Sequence, residues 1–190
     1  MRFLKELLPP ALVATFVLGC PLGCTKYAQE SKTGETALGA VDTQSMDPAY
    51  FSLPDSNGRS VEMTGFRGKP VLLNFWASWC QPCIDELPAL MQFADWAKRE
   101  AGVETVAVSV DESWAPVKKV LSQKKFWPGA ALPLTILLNA DGGVSAAFGC
   151  TKYPESYFID RNYKIIRKFI GVQEWTSQEI KKWVTEHSKQ

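Results

Sequence analysis

Histidine is all but missing from this chain: among 190 residues, His187 stands alone near the C-terminus. A Cys-Cys-His copper carrier would therefore lack its third ligand near any paired cysteines. Charge of one sign is lacking too, since 21 Lys and Arg stand against 20 Asp and Glu for a formal net charge of +1. No run of Lys or Arg builds the concentrated positive face that neutralising phosphates requires, which argues against nucleic acid as a partner. The apolar stretch near the start, Leu7 to Leu18, falls short of the roughly 20 residues a membrane-spanning helix needs.

What is present begins with a leader. Arg2 and Lys5 form a positive start ahead of Leu7 to Leu18, the pattern of a cleaved signal peptide over residues 1–19. Val17-Leu18-Gly19-Cys20 resembles a bacterial lipobox, in which small or apolar residues precede a Cys that is lipidated and becomes the mature N-terminus. Cys20 is thus the expected lipid anchor. Leu22-Gly23-Cys24 is a second candidate, with Pro21 where a lipobox favours an aliphatic residue, and an ordinary signal with two incidental cysteines is the plainer alternative. Residues 20–47 are rich in Lys, Thr, Ser, Gly, Gln and Glu, too polar to offset the entropy of ordering them, and are expected to form a flexible tether. About 25 residues of random coil reach about 25 to 30 Å, enough to hold a domain beside a membrane while leaving it free to turn. Gly23-Cys24-Thr25-Lys26-Tyr27 recurs at 149–153 without matching surroundings and reads as coincidence.

Residues 48–190 read as one α/β domain. Pro70 to Trp76 is a continuous apolar run typical of a buried central strand. Gln81 to about Glu100 has helical spacing, with Leu87, Leu90, Met91 and Ala94 on one face, and Pro88 should kink that helix without ending it. Val103 to Val110 reads as a second strand and Trp114 to Lys125 as a helix. Leu134 to Leu138 and Val144 to Phe148 are expected strands around a turn at 139–143, and Ser156 to Ile159 and Lys164 to Ile170 an expected hairpin. A last helix begins at Thr176, capped by Thr176 or Ser177.

The strongest chemical signal is Trp79-Cys80-Gln81-Pro82-Cys83. Two thiols at this spacing on a strand-to-helix junction can close a disulfide with little backbone movement. Cys80 falls at the helix N-terminus, where unpaired amides and the helix dipole favour a thiolate, and is the expected exposed nucleophile. Cys83, one turn inside, is placed to resolve a mixed disulfide. Pro82 costs little, since first-turn amides lack helical partners anyway. Ile84 directly after Cys83 excludes c-type haem attachment, and a peroxidase would need a single peroxidatic Cys in another setting.

Leu72 to Cys83 resembles the active-site strand and motif of the thioredoxin superfamily, particularly its TlpA/ResA-like and cytochrome c maturation branch. Glu86 and Pro88 match that branch as well, and Tyr153 to Asp160 resembles its segment opening with a cis-proline that faces the disulfide. The resemblance covers roughly residues 50–185. It implies a thioredoxin fold, a mixed central sheet flanked by helices, and a thiol-disulfide oxidoreductase without cofactor beyond the Cys80–Cys83 pair. It implies further that Cys80, Cys83 and Glu86 are catalytic and that Trp79, Tyr153 and Pro154 meet substrate. Asn74 departs from thioredoxin itself, which carries a buried Asp there, so that the proton-moving duty is expected to pass to Glu86. The competing account of Glu86 is a solvated first-turn carboxylate favoured by the helix dipole.

Together these features predict a protein-disulfide reductase of the bacterial envelope, a lipoprotein on the periplasmic side. Its partners would be cysteine-containing proteins, apocytochrome c being one candidate, and a membrane thiol-disulfide electron donor. The alternative is a lipoprotein that binds a partner, with the Cys pair a structural brace. Cys150 is expected to be a buried, unpaired thiol.

Overall fold

The computed structural model describes residues 51–123, 126–129 and 131–189. The leader, Cys20, Cys24 and the tether over 20–47 lie outside the described residues. In chain order the elements are β1 (Ser52–Pro54), β2 (Ser60–Glu62), a 3-10 turn (Met63–Phe66), β3 (Val71–Trp76) and α1 (Gln81–Trp96). A wider π turn (Ala97–Ala101), β4 (Glu104–Ser109), α2 (Trp114–Leu121), β5 (Thr135–Leu138) and α3 (Gly143–Ala147) follow. The chain closes with β6 (Glu155–Ile159), β7 (Ile165–Ile170) and α4 (Gln178–His187).

The apolar run of β3 is buried along its whole length because both of its faces are covered. It lies at the centre of a mixed sheet ordered β5-β4-β3-β6-β7, parallel to β4 and antiparallel to β6. Strand side chains alternate between faces. Leu72 and Trp76 accordingly join the core under α1, α2 and α4, while Val71, Leu73 and Phe75 join the opposite core with Leu53, Met63 and Phe148. Each of these large apolar side chains contributes about 1.5 to 3 kcal/mol by leaving water. Leu87, Leu90, Met91 and Ala94 are buried, and α1 continues through Pro88 as expected. Ser177 caps α4, its Oγ accepting from the Ile180 amide at 3.3 Å.

Two expectations about elements need correction, and a third is met in extent with a change of helix type. Val144 to Phe148 is not a strand: residues 143–147 form α3. The turn ahead of it wraps into a helix, because Asp141 Oδ1 accepts from the Gly143 amide at 2.9 Å and Ser145 Oγ donates to the Gly142 carbonyl at 3.0 Å. Only Val144 in that segment is β-branched, so local propensity offers little resistance. The helix expected to Glu100 changes at Trp96 into the π turn, closed by Gly102 at φ 64°, a left-handed conformation suited to glycine. The helix expected to Lys125 stops at Leu121, with Ser122 as its cap. Among the described residues no helix is long and apolar enough to cross a membrane.

Candidate active site

The loop from β3 to α1 delivers Cys80 as the N-cap of a 16-residue helix. Cys80 and Cys83 form a disulfide with Cα atoms 5.3 Å apart. Cys80 Sγ also accepts from the Cys83 amide at 3.3 Å, so the sulfur occupies the place where a helix N-terminus receives negative charge. The expectation of an exposed Cys80 is only relatively met. It is 7% exposed against 2% for Cys83, because the Tyr153 carbonyl and the helix start crowd around it. Trp79, 66% exposed, stands beside it as the prominent apolar surface.

Asp111, unmarked in the sequence reading, anchors this loop from the end of β4. Its buried carboxylate accepts from the Ser78 amide at 2.9 Å, from Ser78 Oγ at 2.6 Å and from Ser109 Oγ at 2.6 Å. The signal that could have found it is its place just beyond the carboxyl end of a central parallel strand, where open α/β sheets gather their sites.

The Tyr153–Pro154 bond is cis. The Tyr153 carbonyl oxygen lies 3.6 Å from Cys80 Sγ, and the Tyr153 ring meets Trp79 edge-on with centroids 6.0 Å apart. Residues 79, 80, 153 and 154, distant in sequence, are thus brought together as the resemblance implied.

Glu86 is only 4% exposed, which removes the account of it as a solvated surface carboxylate. Its Oε1 accepts from the Gln173 amide at 3.3 Å and from the Trp175 indole N–H, while its buried Oε2 has no hydrogen-bond partner. Burial pushes the carboxyl up to about 7, with the two donors opposing. Asn74, by contrast, cannot titrate. It is buried and donates from Nδ2 to Ser156 Oγ at 2.9 Å.

On the opposite face of the sheet, Glu155 follows Pro154 and is buried against Lys168, with Nζ and Oε1 2.8 Å apart. The Tyr157 hydroxyl reaches Glu155 Oε1 and the Phe148 carbonyl, the latter at 2.7 Å. Cys150 is unpaired but half-buried rather than buried, its Sγ 3.6 Å from the Tyr157 hydroxyl, and burial pushes its thiol up to about 12. A thiol so raised is a poor nucleophile at neutral pH, unlike one at a helix N-terminus. Among the described residues no group of three or more His, Cys, Asp and Glu could hold a metal ion.

A geometry of this kind can exchange thiols for disulfides, and comparison with known proteins agrees. Residues 46–169 match the AhpC/TSA family. The thiol-disulfide oxidoreductase ResA of Geobacillus thermodenitrificans is 34% identical over 169 residues, 89% of this chain and 89% of that protein. The crystal structure of StoA from Bacillus subtilis superposes with a TM-score of 0.57 at 25% identity, covering 72% of this chain and 96% of that one. The thioredoxin domain of a thiol-disulfide oxidoreductase from Bacteroides vulgatus superposes at 0.60, with 24% identity over 76% of this chain and 99% of that domain, and shows the shared fold.

Proposed function

Because this chain belongs to the AhpC/TSA family and stands with the ResA thiol-disulfide oxidoreductases, we propose that it reduces protein disulfides outside the cytoplasm. In this reading a lipid on Cys20 holds it at the periplasmic face of a bacterial membrane. The direction follows the resemblance, and the observation that carries exchange chemistry is the helix-capping Cys80–Cys83 pair with a buried, titratable Glu86 one turn further along α1. An inert brace has no need of such an acid.

The Cys80 thiolate, favoured by the Cys83 amide and the helix N-terminus, attacks one sulfur of a partner disulfide. That S–S bond breaks, a Cys80–partner disulfide forms, and the partner's other sulfur leaves as a thiolate that takes up a proton. Cys83 then gives its proton to Glu86 and attacks Cys80 Sγ. The partner's remaining sulfur leaves as a thiolate that takes up a proton from solvent, and the Cys80–Cys83 disulfide is the oxidised product of a two-electron exchange. A membrane thiol-disulfide donor returns those two electrons, and no cofactor beyond the pair is needed. Trp79, Tyr153 and Pro154 form the edge on which the partner's cysteine segment lies. An oxidised apocytochrome c fits as a substrate, since its cysteines must be reduced before haem attachment.

Replacing Cys83 by Ala should trap partners on Cys80 as adducts that dithiothreitol dissolves, read on non-reducing gels. Cys80→Ala should abolish trapping and turnover. Capture of partners by the Cys80→Ala protein through Cys83, or exchange activity in the double variant, would overturn the ordered mechanism.

A further inference from the structure

Like Asp111, the segment between β7 and α4 joins the site without a sequence motif to announce it. Gly171 donates its amide to the Pro154 carbonyl at 2.9 Å, at φ 76°, a left-handed conformation that disfavours any other residue. Two residues later the Gln173 amide reaches Glu86 Oε1, and Trp175 then delivers its indole N–H to the same oxygen. The indole cannot swing away. It is fully buried, with Phe93 of α1 and Phe169 of β7 packed against it at centroid distances of 5.2 Å each. Of the carboxyl's two oxygens, one is therefore occupied by the segment and the other, Oε2, is buried and unpartnered.

We propose that Trp175 is a positioning residue for the proton step: its N–H, held by the aromatic pair, engages Glu86 Oε1 so that Oε2 alone is free to exchange a proton with Cys83. The proposal rests on the role given to Glu86 above. A donor committed to one oxygen also stabilises the ionised carboxylate against burial, which keeps the acid able to cycle near neutral pH. Beside the Gln173 backbone amide, Trp175 is the side chain that performs this task. α1 contributes Cys83 on the inner side and the exposed Asp85, which accepts from Gln81 Nε2, while the exposed Glu174 lies between the two donors. Glu155 of β6 is turned to the other face in its pair with Lys168. Burial and the two N–H donors, with no ion pair, therefore set the titration of Glu86.

The test is the pH dependence of insulin disulfide reduction, together with the infrared carbonyl band of protonated Glu86, assigned by its loss in Glu86→Gln. Two replacements remove the donor: Trp175→Phe, and site-specific benzothienylalanine, which keeps the ring outline with sulfur in place of N–H. In both, the midpoint of band and rate should move up by about one pH unit, since a hydrogen bond to a charged group is worth about that much. Fluorotryptophan, which retains the N–H, should restore the parent profile. In the unmodified protein, the Trp175 indole N–H resonance should titrate with the midpoint of Glu86 and stop doing so in Glu86→Gln. A folded variant with unmoved midpoints, or an indole resonance indifferent to pH, overturns the inference. If Glu86→Gln itself leaves the pH–rate profile unchanged, the role of Glu86 fails first; if it removes the transition while the Trp175 variants do not shift it, only the role of Trp175 fails.

Discussion

At the scale of single residues, Glu86 shows how burial turns a common side chain into a titrating group. In the unfolded chain its carboxyl ionises near the ordinary value of 4.5, whereas in the fold it holds its proton up to about 7. The stability this contributes is fully present below the unfolded value and lost as pH rises through the folded one, up to about 3 kcal/mol. Glu86→Gln keeps an oxygen for Trp175 and Gln173 to donate to, and has no proton to lose. Urea unfolding should therefore show the parent losing stability from about pH 4.5 to about pH 8 relative to Glu86→Gln, and parallel curves would refute the buried acid. Cys150 shows burial acting on a thiol: desolvation raises its pKa to about 12, so little of it is thiolate at neutral pH.

Elements carry energy through what joins them. β6 and β7 are paired as an antiparallel hairpin, and at its site end the buried Glu155 of β6 is tied to Lys168 of β7. The lysine is only partly exposed, so removing it leaves a buried carboxylate with the Tyr157 hydroxyl but without a countercharge. Lys168→Met should cost about 3 kcal/mol in denaturant unfolding, and adding Glu155→Gln should recover most of that loss. An additive double variant would mean that the ion pair does not bind the two strands. The neighbouring α3 makes a related point about local pattern. The turn string at 139–143 suggested a second strand after it, yet the side-chain hydrogen bonds of Asp141 and Ser145 close a helical turn, and Phe148 packs on Phe75 and Tyr157 with centroids 5.3 and 5.1 Å away. A short segment with one β-branched residue takes the helical course its turn begins.

For the whole molecule, the proposed envelope role depends on the N-terminal segment. Mass spectrometry of the membrane-extracted protein should find Cys20 as the lipidated first residue, and an unmodified N-terminus elsewhere would end that part of the reading. The sequence by itself determined the order of the main strands and helices and the identity of the redox pair. Those depend on signals within a few residues of one another: an apolar run, a helical stripe, two thiols at a helix start. The resemblance of its motifs to a known branch added the cis-proline and Glu86. Only the tertiary structure decided what surrounds them. Asp111, Trp175 and Gln173 bear on the site from far along the chain, through contacts that no local pattern encodes. The burial that makes Glu86 an acid near neutrality and raises the Cys150 thiol is likewise a property of packed layers, since desolvation is produced by every element that closes over a group and not by its neighbours in the chain.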